Sequence, residues 1–456
     1  MKRKSMRKAA LPFIAACMPL AACNPSTTTS TTTFPTAIAV AQYTPGGALD
    51  TTNFAAGKGI AVTDFEPGLN DYALATVLSG GKILVAGASG QTQSSGAARL
   101  LVAVLRYNSN GTLDTSFGTG GSVRTALGGD HGEGDAIAVQ ADGKIVVAAS
   151  IFSSDFTGKG IALVRYTALG ALDTTFGGGG NGIVTAPIIG DASDTTAAAL
   201  AVQPAPLPAD QKIIVAGHGN INGRVNVVLL RYNLDGTLDT TFGPLHTGLV
   251  TQDLGHDAMA LGMLLQPDGK IVVAGSVVSA SGTLDTVVLR YNSDGSLDTA
   301  GFGAGNGFVI TDAGGNDFAN SVALQSDGKI VVAGHANVIP NQTSDISVLR
   351  YNSSGTLDMT GFGAQGKVID DLGGFEGAFS VALQANGKIV VSGSATNSAG
   401  GSMVAVLRYN TDGSRDAGFG SSGLVTTAPI GPSIVSSGNA VALLPADAGI
   451  VVVGFD

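Results

Sequence analysis

A single motif recurs seven times along the chain and limits what it can fold into. It reads "DGKIVVAA" at 142–149 and "DGKIVVAG" at both 268–275 and 327–334. Further versions are "GGKILVAG" (80–87), "DQKIIVAG" (210–217), "NGKIVVSG" (386–393) and "AGIVVVGF" (448–455). Two other elements keep step with it. Arg-Tyr pairs carry Arg106, Arg165, Arg231, Arg290, Arg350 and Arg408, and a Leu-Asp…Phe element places Phe at 54, 117, 176, 242, 302, 362 and 419. The period is about 60 residues, and self-similarity at such a period means a solenoid, a propeller or an array.

Each unit divides into four strand-like pieces. In 121–166 these are "GSVRTAL" (a), "DAIAVQ" (b), "KIVVAAS" (c) and "GIALVRY" (d). The c piece is a short, continuous β-branched run suited to burial on both faces. The "ADG" between b and c is a tight turn. No segment has helical periodicity with caps. Seven units of four antiparallel strands predict an all-β, seven-bladed β-propeller. The last unit has a (423–429), b (439–445) and c (449–455) but no d, and an orphan d-like strand, "AIAVAQY" (37–43), stands at the start. The expected closure is therefore three C-terminal strands completed by one N-terminal strand, which protects the edges of the ring.

These residues carry a family resemblance. "LVAVLRYNSNGTLDTSFGTGGSV" followed by "DAIAVQADGKIVVAAS" resembles the delta-60 repeat of bacterial surface and secreted proteins. The resemblance covers 36–456 and implies the propeller fold, but no particular activity. The departures from the repeat are Gln42 for Arg, Arg415 for Leu, and the long b–c turn "QPAPLPADQ" (203–211).

The first 35 residues read as an address. "MKRKSMRK" is a basic leader, followed by an apolar stretch too short to span a bilayer. "LAAC" (20–23) resembles the lipobox of bacterial lipoproteins. This implies a signal peptide over 1–22, lipid attachment at Cys23 and a Ser/Thr-rich tether over 23–35. Asn24 after the Cys resembles lipoproteins sent to the outer membrane, so the expected location is the bacterial envelope, with the membrane reached by lipid alone. Cys17 and Cys23 are the only cysteines, so the mature chain is expected to hold no disulfide.

The repeat also sorts candidate chemistry. Asp50, Asp114, Asp173, Asp239, Asp298, Asp358 and Asp416 occur in every unit and pair by spacing with the Arg positions, which reads as a repeated structural ion pair. "NSDGSLD" (292–298) approximates a calcium loop, but Arg290 stands where a first ligand belongs, so a turn is the expected reading. No cofactor is expected, with calcium as the alternative. The d–a and b–c connections share one end of each blade and are stereotyped. The a–b and c–d loops share the other end and vary, and the a–b loops are also acidic, with Asp64, Glu66, Asp71, Asp130, Glu133, Asp135, Asp191, Asp194, Asp253, Asp257, Asp312, Asp317, Asp370, Asp371 and Glu376. With strand a innermost, these carboxylates would ring one mouth of the channel and favour cations or a basic partner.

"GGDHGEGD" and "LGHD" make Asp130, His131, Glu133, Asp135, His256 and Asp257 the metal-ligand candidates. No catalytic motif supports them. The net charge of −10, with no basic run beyond the leader, argues against nucleic acid. The expected role is a non-catalytic binding or scaffold module acting through the variable loops on an unidentified protein or small ligand. The alternative is an extracytoplasmic hydrolase, lyase or lactonase on carbohydrate-like substrates, although the absence of Trp removes the usual sugar-stacking side chain.

Overall fold

The computed structural model describes residues 35–128, 131–153, 158–187, 195–204, 210–338, 343–397, 400–429 and 436–456. The expected signal peptide, Cys23 and nearly all of the tether lie outside them. The described chain forms seven four-stranded antiparallel sheets. Blade one is Asp71–Ser79, Lys82–Thr92, Ala98–Asn108 and Ser122–Thr125, and blades two to six follow the same order along the chain.

Blade seven joins the ends. Ser437–Leu443 and Ile450–Phe455 pair with Ile38–Tyr43 and then Ile60–Thr63. The central contact runs in register from Ile38 opposite Phe455 to Tyr43 opposite Ile450. The expected N-terminal strand thus completes the last blade, with two corrections. Closure uses two strands from each end, because Leu424–Thr427 caps blade six. Strand a is also outermost: it pairs with the d strand before it, while the b strands neighbour one another around the centre. The a strands have only three or four residues, too few to bury both faces.

The core is a set of seams rather than one centre. Seven apolar clusters each combine side chains of two adjacent blades, and the seam between blades seven and one is built like the rest. The repeated Gly after "VVA" has a steric reason: a Cβ at Gly334 would lie 1.7 Å from the Phe318 carbonyl oxygen of the innermost strand.

Each seam is fastened at the b–c/d–a end by the same parts. The Phe of one blade is buried beneath a turn Gly of the next, at Gly47, Gly111, Gly170, Gly236, Gly295, Gly355 and Gly413. These glycines have φ between +78° and +92°, and a Cβ on any of them would meet the ring at 2.7–3.0 Å. Only Gly satisfies both constraints. The residue after each Phe donates its N–H to a carbonyl of the same neighbouring turn at 2.7–2.9 Å, from Ala55 to Asn110 through to Gly420 to Gly46.

In six blades the Arg lies over the Phe ring at 4.4–4.7 Å. Its Nε donates to the repeat Asp, and its Nη1 donates to the next blade's turn, as Arg290 does to the Ser353 carbonyl. The Lys that opens the second strand reaches the same carboxylate at 2.7–3.5 Å. Burial pushes the Asp173 carboxyl up, but the Thr175 hydroxyl and amide, Lys144 and Arg165 outweigh it and hold it at about 2. The Arg-Asp positions therefore act within and between blades, as their spacing predicts. The "NSDGSLD" carboxylates are spent locally: Asp294 accepts from the Ser296 amide and hydroxyl, and Asp298 is held by Arg290 and Lys270.

Two of the three departures from the repeat, Arg415 and Gln42, have structural partners. Arg415 reaches Asp370 of the preceding blade's outer strand, with Nε 2.7 Å from Oδ2. Asp370 stands where Thr63, Thr125, Thr311 and Thr427 accept or donate to the repeat Tyr, and it takes the Tyr409 hydroxyl at 2.8 Å. Gln42 donates to Asp50 at 2.9 Å in place of Arg, and Asn53 fills the adjacent space. Gly301 and Gly361 occupy the Asn53 position in their blades, where a Cβ would crowd the Arg290 and Arg350 guanidinium at 2.9 and 3.1 Å.

Two outcomes test this architecture. Deleting residues 35–63 removes half of blade seven, so calorimetry is expected to show loss of the single cooperative melt, with apolar dye binding; an unchanged melt would refute closure. Replacing Arg415 by Leu should cost about 1–3 kcal/mol in urea unfolding by leaving Asp370 without its cation. Asp370→Thr combined with Arg415→Leu restores the repeat and should recover most of that loss.

Candidate functional site

Charge is paired throughout one end of the ring, while exposed carboxylates collect at the other, where Arg124 pairs with Glu66 and Arg224 with Asp253. The b–c/d–a end uses its Arg, Lys and Asp in the seams. The a–b and c–d loops form the opposite end, and each a–b loop runs from an outer strand to the innermost strand of the next blade. The acidic loops therefore still arrive at the channel mouth, although strand a is outermost. Asp64, Asp253, Asp312 and Asp371 are exposed there, whereas Asp71, Asp317 and Glu376 are buried at or beside the start of innermost strands. Phe375, 52% exposed, stands beside Glu376 on the same face.

The candidate metal ligands separate into different surroundings. Asp130 lies outside the described residues. His131 is buried, and its Nδ1 accepts the Leu100 N–H at 3.1 Å. Glu133 and Asp135 follow on the same innermost strand. Glu133 accepts the Tyr72 hydroxyl across the blade-one seam, and Asp135 accepts the Ser150 hydroxyl at 2.7 Å. Burial pushes both carboxyls up, and the neighbouring Glu133 charge adds to the shift at Asp135. Burial, then Glu133, also raises Tyr72, so this phenol stays protonated at neutral pH. His256 is exposed, and Asp257 accepts the Val225 N–H at 2.9 Å. Two other histidines serve packing: burial pushes His218 and His335 down to about 4, and His335 stacks on Phe318 at 4.5 Å.

Among the described residues, the carboxylates that do converge lie in other seams. Asp285, Asp312 and Asp317 bring ligand atoms within 4.8 Å of one another, and so do Asp345, Asp371 and Glu376. Four of these six were legible as acidic a–b loop residues. Asp285 and Asp345 were not, because they belong to third strands (Leu284–Tyr291 and Thr343–Tyr351). The available signal was an Asp five residues before the repeat Arg in two consecutive units, at Asp285/Arg290 and Asp345/Arg350.

Six segments, 79–117, 140–176, 209–242, 266–300, 325–360 and 384–419, match the family model described as "Domain of unknown function (DUF5122) beta-propeller". They fall in blades one to six; the seventh blade is divided between the ends of the chain. No curated protein matches. Among solved structures, the chain is similar to an alpha-L-arabinofuranosidase from Clostridium thermocellum, at 12% identity over 63% of this chain and 92% of that one, with a TM-score of 0.30. It is similar to a mannose phosphorylase from Leishmania mexicana, at 10% identity over 57% and 77%, with a TM-score of 0.30. It is also similar to a Trypanosoma rangeli sialidase, at 9% identity over 91% of this chain and 56% of that one, with a TM-score of 0.36. Likeness at this level carries no information about chemistry. Six matched repeats on a closed ring of seven four-stranded blades make this chain a repeat protein of the β-propeller class.

Proposed function

We propose that the propeller is a non-catalytic binding module whose a–b and c–d loops engage a partner bearing positive charge, held at a bacterial envelope by lipid on Cys23. The supporting observation is the division of charge between the two ends. One end spends its ionic groups on holding blades together, while the other presents Asp64, Asp312 and Asp371 to solvent, with Phe375 exposed beside Asp371. An acidic field steers cationic partners toward that face, and an aromatic side chain within it offers an anchor. Loops on a rigid scaffold are where binding concentrates. Among the described residues no helix is long and apolar enough to cross a membrane, so attachment in this reading rests on Cys23.

The enzyme alternative has one place to stand. Tyr72, Glu133 and Asp135 set two carboxyls of raised affinity for protons along innermost strands. The hydroxyls that join them, Tyr72 on Glu133 and Ser150 on Asp135, come without a cationic group in hydrogen bonding among the described residues, and the binding reading is preferred.

Pull-down from envelope extract tests the binding face. A partner retained by the full chain should be lost when 128–130 and 337–343 become Gly/Ser, and kept when the opposite-face turn 141–143 is replaced. Capture should also weaken as ionic strength rises. Equal recovery from all three proteins would remove the proposed face. Cys23→Ser should release the protein into the soluble fraction; retention in the membrane fraction would count against the anchor.

A further inference from the structure

The strongest unexplained feature is the pair of carboxylate clusters. They occupy equivalent places in consecutive seams, between blades four and five and between blades five and six. Each takes one residue from a third strand (Asp285 or Asp345) and one from the a–b loop (Asp312 or Asp371). The last comes from the start of the next innermost strand (Asp317 or Glu376). Asp317 and Glu376 are fully buried, and Asp345 is 6% exposed. Asp317 Oδ1, Asp345 Oδ1 and Glu376 Oε1 have no hydrogen-bond donor. The other oxygen of Asp317 accepts the Ala313 N–H and that of Glu376 the Leu372 N–H, but buried carboxylate oxygens without donors, crowded by like charges, are costly unless something neutralises them.

Among the described residues no protein cation does so. None of the ion pairs among the described residues involves any of the six carboxylates. Lys367 donates to the Asp312 backbone carbonyl, and Arg415 is spent on Asp370.

Other seams show how the same fold handles acids without such a cluster. Between blades three and four, Arg224 pairs with Asp253 at 3.0 Å, and Asn226 and Ala258 stand where Asp285 and Asp317 stand later. Between blades seven and one, Asp71 is alone, and the Phe65 and Gly90 amides satisfy both its oxygens at 2.7 and 3.0 Å. Among the described residues, the buried carboxylate oxygens left without a donor are those of Asp317, Asp345 and Glu376, and all three lie where three carboxylates meet.

We propose that each of the two clusters binds one calcium ion, which ties the third strand of one blade to the innermost strand of the next. The donor set is all oxygen, the choice of a hard divalent cation. Calcium accepts six to eight oxygens in flexible geometry, and three carboxylates binding singly or doubly supply about three to six, with water completing the shell. Mixed Asp and Glu at the buried position fits that flexibility better than the strict octahedron of magnesium. This inference shares Asp312 and Asp371 with the binding reading, but its failure would leave that reading standing.

The test uses the full chain, stripped with EDTA, dialysed and titrated with calcium chloride in a calorimeter. Two ions should bind per chain, and the melting temperature should rise by several degrees with calcium concentration, since a ligand of the native state stabilises it. Asp317→Asn and Glu376→Gln should each leave one ion bound, and the double variant none. In EDTA the double variant should melt no lower than the wild type, because it sheds charge repulsion, which shows that the fold survives. No calcium uptake by the wild type, uptake unchanged in both single variants, or equal affinity for magnesium would overturn the proposal.

Discussion

The ring depends on a phenylalanine seated beneath a neighbouring glycine, repeated at every seam. The turn must adopt positive φ and must also admit the ring at contact distance, so one residue type meets both demands. The backbone hydrogen bond beside it fixes how far one blade can slide against the next. In six blades the guanidinium covers the ring and bridges to the next turn, so dispersion, cation–π attraction and charge-assisted hydrogen bonding act at one point. None of these contacts is large alone. Because the sheets meet in a closed circle, each blade is held on both sides.

Repetition also shows which variations are tolerated together. The Gln42 blade loses its guanidinium, and the space this frees is taken by Asn53 where other blades with the same loop length keep glycine. Asp370 replaces a threonine that serves the buried tyrosine, and Arg415 replaces a leucine one blade later to balance it. Such paired departures separate local repair from specialisation. Among the described residues no cation pairs with the Asp285 and Asp345 clusters, and that difference singles them out.

Much of the architecture is legible without coordinates. The Phe positions count the blades, the β-branched runs mark strands buried on both faces, and the unmatched strand at 37–43 announces closure. The order of strands across a blade is harder to read, because a repeat can be cut anywhere without changing its period. "GSVRTAL" alternates in the same way whether it pairs with the strand after it or the one before. Its short paired length, Ser122–Thr125, is what places it outside. For the site, the acidic a–b loops were evident, but the meeting of Asp285 with Asp312 and Asp317 was not. Residues about 30 positions apart come together there only because a loop crosses from the rim of one sheet to the centre of the next.

The pairing of Ile38–Tyr43 with Ile450–Phe455 sets how the molecule bears mechanical load. Residue 37 and Asp456 exchange backbone hydrogen bonds at the very end of that pair. Tension applied between the two ends therefore peels the strands apart one bond at a time, as a zipper opens, instead of shearing all their bonds at once.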